Sequence, residues 1–395
     1  MTKPLRGIKV VELGQLIAGP FAGKFFADFG AEVIKVEPPE GDPLRKWRKI
    51  HKGTSLWWYV QNRNKKSVTI NLRLPEGQEI VRRMAKDADV VIENFRPGTL
   101  EKWGLGYDRL GAINSGLVML RLSGYGQTGP YRDQAGFGAI AESVGGLRYV
   151  TGFPDRPPVR PNLSIGDSLA ALHGVIGVLM ALHQRNANGG RGQIVDVALY
   201  EAVFNMMESA LPEYDMFKES RERTASNLTG IVPSNTYVTG DNQHVVIGAN
   251  GDSIFRRLMN VIGRADLADD PSLADNAGRV KRAEELDRVI GEWTARQNAD
   301  ELVRILNESQ VPNGKIYSMA DIARDAQYLA RDMIRQVKLK DGTQLKVPGI
   351  VPKLSDTPGD IDWVGPDLGE HTAAVLAAHG YSEADIAELR ESRAI

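Results

Sequence analysis

The chain has 395 residues, of which 42% are hydrophobic and 25% charged, so its composition is that of an ordinary globular protein with length for two domains. Lysine and arginine number 49 against 50 aspartates and glutamates, which excludes the basic footprint of nucleic-acid or membrane-surface binding. It contains no cysteine, which excludes disulfides, thiolate catalysis and zinc–cysteine sites. We find no secretory leader or membrane-spanning run and expect a cytoplasmic protein.

The first 200 residues alternate between apolar strand patterns and helix patterns. This alternation predicts an α/β fold, in which a doubly wound parallel sheet forms the large domain. The predicted strands are 7–14, 31–37, 65–72, 89–94 and 116–123, and the predicted helices between them include 18–30 and 75–88.

The stretch 160–185 carries one carboxylate, Asp167, at the mouth of an apolar helix. Leu169, Leu172, Ile176 and Met180 are among apolar residues that cover most of its circumference, so we expect burial on nearly all sides. Asp167 is either a helix N-cap or a nucleophile, because the surroundings that suit a cap would also keep a carboxylate ionised beside a pocket. The residues alone leave both interpretations open.

From about residue 234 the pattern changes to hairpins and short amphipathic helices. We predict a large domain over 1–210, completed by 330–395, a linker over 211–233, and a smaller α+β domain over 234–329. The linker assignment rests on the polar, turn-rich character of its sequence.

Two glycine motifs suggest dinucleotide binding, and neither fits well. The first turn reads GQLIAGP, so its glycines are misplaced for a pyrophosphate, although Glu37 ends the next strand as a ribose-binding acid would. Gly124, Gly126 and Gly129 form a G-x-G-x-x-G match, but Pro130 follows directly. No histidine or carboxylate cluster has metal-ligand spacing, so we expect no metal site.

Several ordered segments together resemble the class III CoA-transferases of the CaiB/BaiF type. That family includes formyl-CoA, carnitine and succinyl-CoA:dicarboxylate CoA-transferases. The segments that carry the resemblance are 7–45, 91–110, 122–130, 165–182, 190–204 and 302–334.

The resemblance implies that Asp167 attacks an acyl-CoA, forming an aspartyl–acyl anhydride and then an aspartyl–CoA thioester. It implies that Gly248 and Gly251 belong to a glycine-rich segment near the nucleophile. A CoA thioester is then a substrate, no cofactor is permanently bound, and two chains form a homodimer of interlocked rings. The CoA-binding residues implied by position are Ile17, Ala18, Asn94, Phe95, Arg96, Lys102 and Tyr125.

We favour succinyl-CoA as donor and a dicarboxylic acid as acceptor, with Arg45, Arg48 or Arg160 holding the far carboxylate. An acyl-CoA racemase or epimerase of the same fold is the alternative, but the loop 131–146 lacks the histidine that such enzymes use. A non-catalytic CoA-binding protein and a dehydrogenase are weaker alternatives.

Overall fold

The computed structural model describes residues 2–395 and divides them into two compact units. The first unit contains residues up to 147, 161–208 and 330–395, and the second contains 148–160 and 209–329. The segment 148–160, predicted within the large domain, lies in the second unit. The predicted linker 211–233 also lies there and contains most of the helix Ala210–Phe217.

The described residues form the following strands and helices. The strands are β1 (Lys9–Glu12), β2 (Glu32–Glu37), β3 (Ile50–His51), β4 (Thr54–Ser55), β5 (Lys65–Thr69), β6 (Val90–Glu93), β7 (Val118–Ser123), β8 (Ile194–Ala198), β9 (Ser234–Val238), β10 (His244–Gly248), β11 (Asn313–Lys315), β12 (Ile334–Lys338) and β13 (Gln344–Pro348). The helices are α1 (Ala18–Asp28), α2 (Leu56–Gln61), α3 (Pro75–Ala85), α4 (Thr99–Lys102), α5 (Tyr107–Ile113), α6 (Gly138–Val144), α7 (Ile165–Ala187), α8 (Leu199–Phe204), α9 (Ala210–Phe217), α10 (Asp252–Val261), α11 (Ala265–Ala268), α12 (Asn276–Lys281), α13 (Ala283–Thr294), α14 (Ala299–Glu308), α15 (Met319–Ile322), α16 (Ala326–Ala330), α17 (Thr372–Ala378) and α18 (Glu383–Glu391), with 3₁₀ helices at Pro43–Lys46 and Pro271–Leu273.

The main sheet of the first unit is parallel throughout, with strand order β5-β2-β1-β6-β7-β8. Strands β1, β2, β6 and β7 are almost entirely buried, as expected for a parallel sheet covered on both faces, whereas β8 at the edge is partly exposed. Val10 and Ile92 point to a core shared with α1 and α7, whereas Val11 and Val91 point to a core shared with α3 and α17. The predicted doubly wound α/β architecture is therefore confirmed for the sheet.

Helix α7 packs closely on the sheet because small residues face it. A Cβ atom added to Gly174 would lie 2.9 Å from the side chain of Leu120 on β7, and one on Gly177 would lie 2.6 Å from Val195 on β8. The opposite face is open, with Met180 66% and Ile176 52% exposed. The expectation that α7 is buried on nearly all sides is wrong, since an all-round apolar sequence does not reveal which face meets the sheet.

Helix α7 is also long and apolar enough to cross a membrane by length and composition, with a mean hydropathy of 1.7. Its contacts with α1, β7 and α8 are those of a core helix on a sheet.

The second unit has its own core and is described by itself. Strands β9 and β10 form the predicted hairpin, and β11 completes an antiparallel sheet of order β11-β10-β9. Phe255, Leu286 and Leu302 from three different helices are buried in its core.

Candidate active site

The chain reverses its direction of sheet growth between β1 and β6, and the loops after these two strands meet there. The side-chain amide of Asn94 accepts a hydrogen bond from the Gln15 amide at 2.7 Å and donates one to the Gln15 carbonyl at 2.9 Å. Gly14 and Gly19 permit this contact, because a Cβ on Gly14 would lie 3.0 Å from the Asn94 oxygen. Open α/β sheets bind ligands at such a switch point.

A cavity of about 360 Å³ opens at the same carboxyl edge of the sheet. Phe95 and Trp103 line it as an edge-to-face pair with ring centroids 5.3 Å apart. Pro38 and Arg73 line it from the loops after β2 and β5. Two aromatic rings and a guanidinium suit a planar ring attached to an anionic chain.

Glu37 also borders this cavity, but its carboxylate is engaged with protein groups. It accepts hydrogen bonds from Arg45 at 2.7 and 2.8 Å and from the Ser67 hydroxyl at 2.5 Å. The Asp42 amide donates to it as well, at 3.0 Å. The Glu37 carboxylate therefore stabilises the loop that follows β2. Because it is already bound by protein groups, it does not fit the ribose-binding role that the dinucleotide interpretation requires.

Buried charges hold the loop after β1 in place. Leu16 has a left-handed φ of 64°, which is uncommon outside glycine and concentrates at functional sites, and its amide donates to Asp42 at 3.2 Å. Burial alone would raise the pKa of Asp42, but Lys35 at 2.8 Å and the amides of Leu44 and Leu16 lower it. The next residue, Ile17, is buried, precedes α1, and accepts a hydrogen bond from Gln61 at 3.0 Å.

A second buried network supports the loop after β6. Glu93 accepts a hydrogen bond from the Phe95 amide at 2.8 Å and pairs with Arg121 at 2.7 Å. Arg121 also pairs with Glu101 of α4 at 2.6 Å. Burial raises the pKa of Glu93 to about 7, although Arg121 opposes the shift.

Asp167 is the third residue of α7, in its first turn, and Ser164 occupies the N-cap position. The helix-cap interpretation is therefore wrong. The carboxylate is half-buried, and the positive end of the helix dipole favours its ionised form.

Helix α6 lies directly against this turn. A Cβ built on Gly138 would lie 2.0 Å from one carboxylate oxygen of Asp167. One turn along α6, the buried side chain of Glu142 accepts a hydrogen bond from the Gly166 amide at 3.4 Å.

Tyr125 lies beside the residues that lead into α6. Its ring would be 3.0 Å from a Cβ on Gly136, and it packs against Tyr131 and Tyr200 with centroids 5.8 and 5.9 Å away. Gly124, from the G-x-G-x-x-G match, packs backbone to backbone on Gly136. The first glycine of the motif therefore serves close chain packing here.

The remaining predicted residues lie on other elements of the fold. Ala18 is buried as the first residue of α1, and Arg96 and Lys102 are exposed near the cavity-lining loop. Gly248 ends β10 and Gly251 precedes α10 in the second unit, so their role stays a prediction.

The sequence prediction missed four residues that the structure places at these positions. They are Arg73 and Trp103 at the cavity, and Gly138 and Glu142 beside Asp167. Trp103 directly follows Lys102, which was predicted to bind CoA. An aromatic residue next to a predicted binding residue could therefore have been predicted to line the cavity as well. Within residues 2–395, no group of three or more His, Asp or Glu side chains could hold a metal ion.

The chain matches CoA-transferase family III over residues 5–372 and belongs to that family. It is therefore an enzyme that transfers CoA between acyl groups, and the resemblance seen in the sequence is confirmed.

Individual relatives match along almost their whole length. The chain is 51% identical to the succinyl-CoA–D-citramalate CoA-transferase of Chloroflexus aurantiacus, covering 100% of this chain and 98% of that protein. It is 41% identical to the beta subunit of the succinyl-CoA–L-malate CoA-transferase of the same organism, with the same coverage. The crystal structure of a CaiB/BaiF family protein from Brucella suis superimposes with a TM-score of 0.84 at 36% identity, covering 96% of this chain and 100% of that one.

Proposed function

We propose that this enzyme moves CoA from succinyl-CoA to a small dicarboxylic acid. The observation that carries the proposal is its 51% identity, over its full length, to a succinyl-CoA–D-citramalate CoA-transferase. The relative named for L-malate, which is 41% identical, also has a dicarboxylic acceptor. Both names support a four- or five-carbon dicarboxylate with a polar substituent.

Asp167 is the proposed nucleophile. Its carboxylate oxygen attacks the thioester carbon of succinyl-CoA, the carbon–sulfur bond breaks, and CoA leaves as a thiolate. The thiolate then attacks the Asp167 carbonyl of the resulting anhydride, releasing succinate and forming an aspartyl–CoA thioester. This covalent route keeps the acyl group activated instead of losing it to water.

The acceptor acid reverses these steps. Its carboxylate attacks the aspartyl–CoA thioester and expels the thiolate, which gives a mixed anhydride between Asp167 and the acceptor. The thiolate attacks the acceptor carbonyl, and acceptor-CoA leaves with Asp167 again a free carboxylate. Each attack develops an oxyanion, for which backbone amides near Gly248 and Gly251 are the proposed donors.

CoA is proposed to bind at the switch point of the sheet. Phe95 and Trp103, which line the cavity, are proposed to contact the base, and the exposed Arg96 and Lys102 are proposed to supply positive charge for the phosphates. Asn94 orders the loop that carries Ile17 and Ala18, along which the pantetheine is proposed to run. Tyr125, whose ring lies against Gly136 two residues before α6, is proposed to border the acyl end.

We also propose a homodimer of interlocked rings in the cytoplasm. The exposed apolar face of α7 supports a chain–chain interface, because monomers rarely expose contiguous apolar patches. The beta-subunit name of one relative raises a second arrangement, in which this chain pairs with a different subunit. No cofactor beyond the CoA substrates is proposed.

The test of this function is trapping of the activated carboxylate. The enzyme is incubated with succinyl-CoA and hydroxylamine, and its peptides are mapped by mass spectrometry. We expect a hydroxamate on Asp167 that depends on succinyl-CoA and is absent from Asp167→Asn.

Two outcomes would overturn the proposal. Transfer activity without any label on Asp167 would remove it as nucleophile. Absence of transfer with every acyl-CoA tried, together with exchange of an α-proton in D₂O, would favour the racemase alternative.

A further inference from the structure

Four glycines form two close backbone contacts, one within the loop after β7 and one between the first turn of α7 and the start of α6. Gly124 packs on Gly136, and Gly166 packs on Gly138, where an added Cβ on Gly166 would lie 2.8 Å from the Gly138 carbonyl oxygen. At three of these glycines, an added Cβ would come closest to backbone atoms or to the ring of Tyr125. Gly138 differs, because the atoms over its Cα belong to the side chain of Asp167.

The carboxyl group of Asp167 occupies the space that a side chain at position 138 would fill. A Cβ on Gly138 would lie 2.0 Å from Oδ2, 2.8 Å from Cγ and 3.3 Å from Oδ1. Contacts under 3.0 Å do not occur for real Cβ atoms, so one of the two groups has to move. The contacting atoms are the end of a side chain with a rotatable χ1, so we expect the Asp167 carboxyl group to turn away from an added Cβ.

The three atoms nearest to a Cβ at position 138 all belong to Asp167. Gly138 is the first residue of α6 and does not have the positive φ that favours glycine. Alanine is the better helix former at such a position. A residue that contradicts local propensity without a backbone need points to a functional constraint.

We propose that Gly138 is a positioning residue for the nucleophile, which leaves room for the Asp167 carboxylate in the orientation from which it attacks. Glu142 completes the arrangement, because its hydrogen bond to the Gly166 amide holds the backbone on which that carboxylate is mounted. The proposal rests on the nucleophilic role proposed for Asp167. It concerns how the carboxylate is oriented, which the role itself does not specify.

The test is Gly138→Ala in the full-length enzyme. We expect kcat to fall about 100-fold, the cost of displacing a reacting group by about an ångström, with KM for succinyl-CoA little changed. Hydroxylamine labelling of Asp167 falls in parallel. Gly111→Ala is the matched control, since a Cβ there lies 3.4 Å or more from the Tyr107 ring in helix α5, and its kcat is expected to stay at the wild-type value.

Thermal unfolding separates a positioning role from a structural one. In an Asp167→Ala background the carboxylate is gone, so adding Gly138→Ala is expected to preserve or raise Tm through helix propensity. An equal loss of Tm in both backgrounds would show that glycine serves backbone packing and would overturn the proposal. Wild-type kcat and labelling in Gly138→Ala would overturn it too, whereas an unlabelled wild-type enzyme would instead refute the proposed function.

Discussion

Arg45 and Arg48 lie three residues apart but differ in burial and in binding partners. This difference favours one of them as the residue that binds the far carboxylate of the acceptor acid. Arg45 is buried, bound to both oxygens of Glu37, and stacked 3.6 Å from the Trp58 ring centre. Arg48 is exposed, and its guanidinium lies 5.0 Å from the Trp57 ring centre. The guanidinium of Arg45 is therefore already used in stabilising the fold. The guanidinium of Arg48 faces solvent, so Arg48 is the better candidate for binding the acceptor.

Arg48→Met is expected to lower kcat/KM for dicarboxylic acceptors by about 10- to 100-fold, the value of a hydrogen bond to a charged group. Monocarboxylic acceptors of similar length are expected to lose little, because they lack the second carboxylate. Steady-state assays with a pair of such acceptors measure the difference. Lys49→Met is the matched control, an exposed cation one residue away, and equal losses with both acceptors would exclude this role for Arg48.

Individual candidate site residues differed in how far the sequence could indicate them. Asn94 and Phe95 directly follow one strand, so a contiguous motif was enough to single them out as candidates. Arg73 and Trp103 reach the cavity from loops after different strands, and their meeting depends on the order β5-β2-β1-β6. Gly138 was invisible as a site residue, because its contact with Asp167 depends on how α6 packs against α7.

At the scale of elements, long strands and helices were predictable and short ones were not. The central strands of the main sheet contain buried apolar runs such as Val90–Ile92, a strong local signal. The hairpin β3–β4 and helix α2 are only two to six residues long, and tertiary contacts such as that between Gln61 and Ile17 hold them. The loop between β6 and α4 depends likewise on Glu93 and Arg121, which sequence reading did not identify.

The Glu93 network makes stability depend on pH. Because its folded pKa is about 7 against an ordinary 4.5, the folded state binds more protons than the unfolded state between these values. The free energy of unfolding attributable to this group is therefore highest below pH 4.5 and lost as pH rises to 7. Relative to Glu93→Gln, the wild type is expected to lose up to about 3 kcal/mol between pH 5 and pH 8.

Unfolding midpoints of wild type and Glu93→Gln at pH 5 and pH 8 measure this dependence. Glu101→Gln is the control, because Glu101 has a lowered pKa and its contribution is lost only as pH falls below its ordinary value. Parallel midpoints for wild type and Glu93→Gln across this range would show that Glu93 is ionised throughout.

At the scale of the whole molecule, α7 carries the proposed nucleophile in its first turn and an exposed apolar face along its length. Its first turn carries Asp167, its small residues pack on the sheet, and its outer face exposes the stripe Leu172, Ile176, Leu179 and Met180. Spacings of four, three and one residues place these side chains on one side of the helix. Sequence patterning predicts burial of such a face but does not distinguish burial within a chain from burial between chains.

If two copies of the chain meet through this stripe, a charge at its centre should hinder their assembly. Because interlocked rings cannot separate without unfolding, Ile176→Asp is expected to lower the fraction of chains that fold into a dimer, since assembly would bury an unpaired carboxylate. Light scattering coupled to size-exclusion chromatography measures the mass against the 43.3 kDa chain. Ile113→Asp, the same change at an exposed isoleucine ending α5, is the control that should leave the dimer intact. A dimer unaffected by Ile176→Asp would place the interface elsewhere, and a wild-type chain that is monomeric alone but dimeric with a related subunit would favour the heteromeric arrangement.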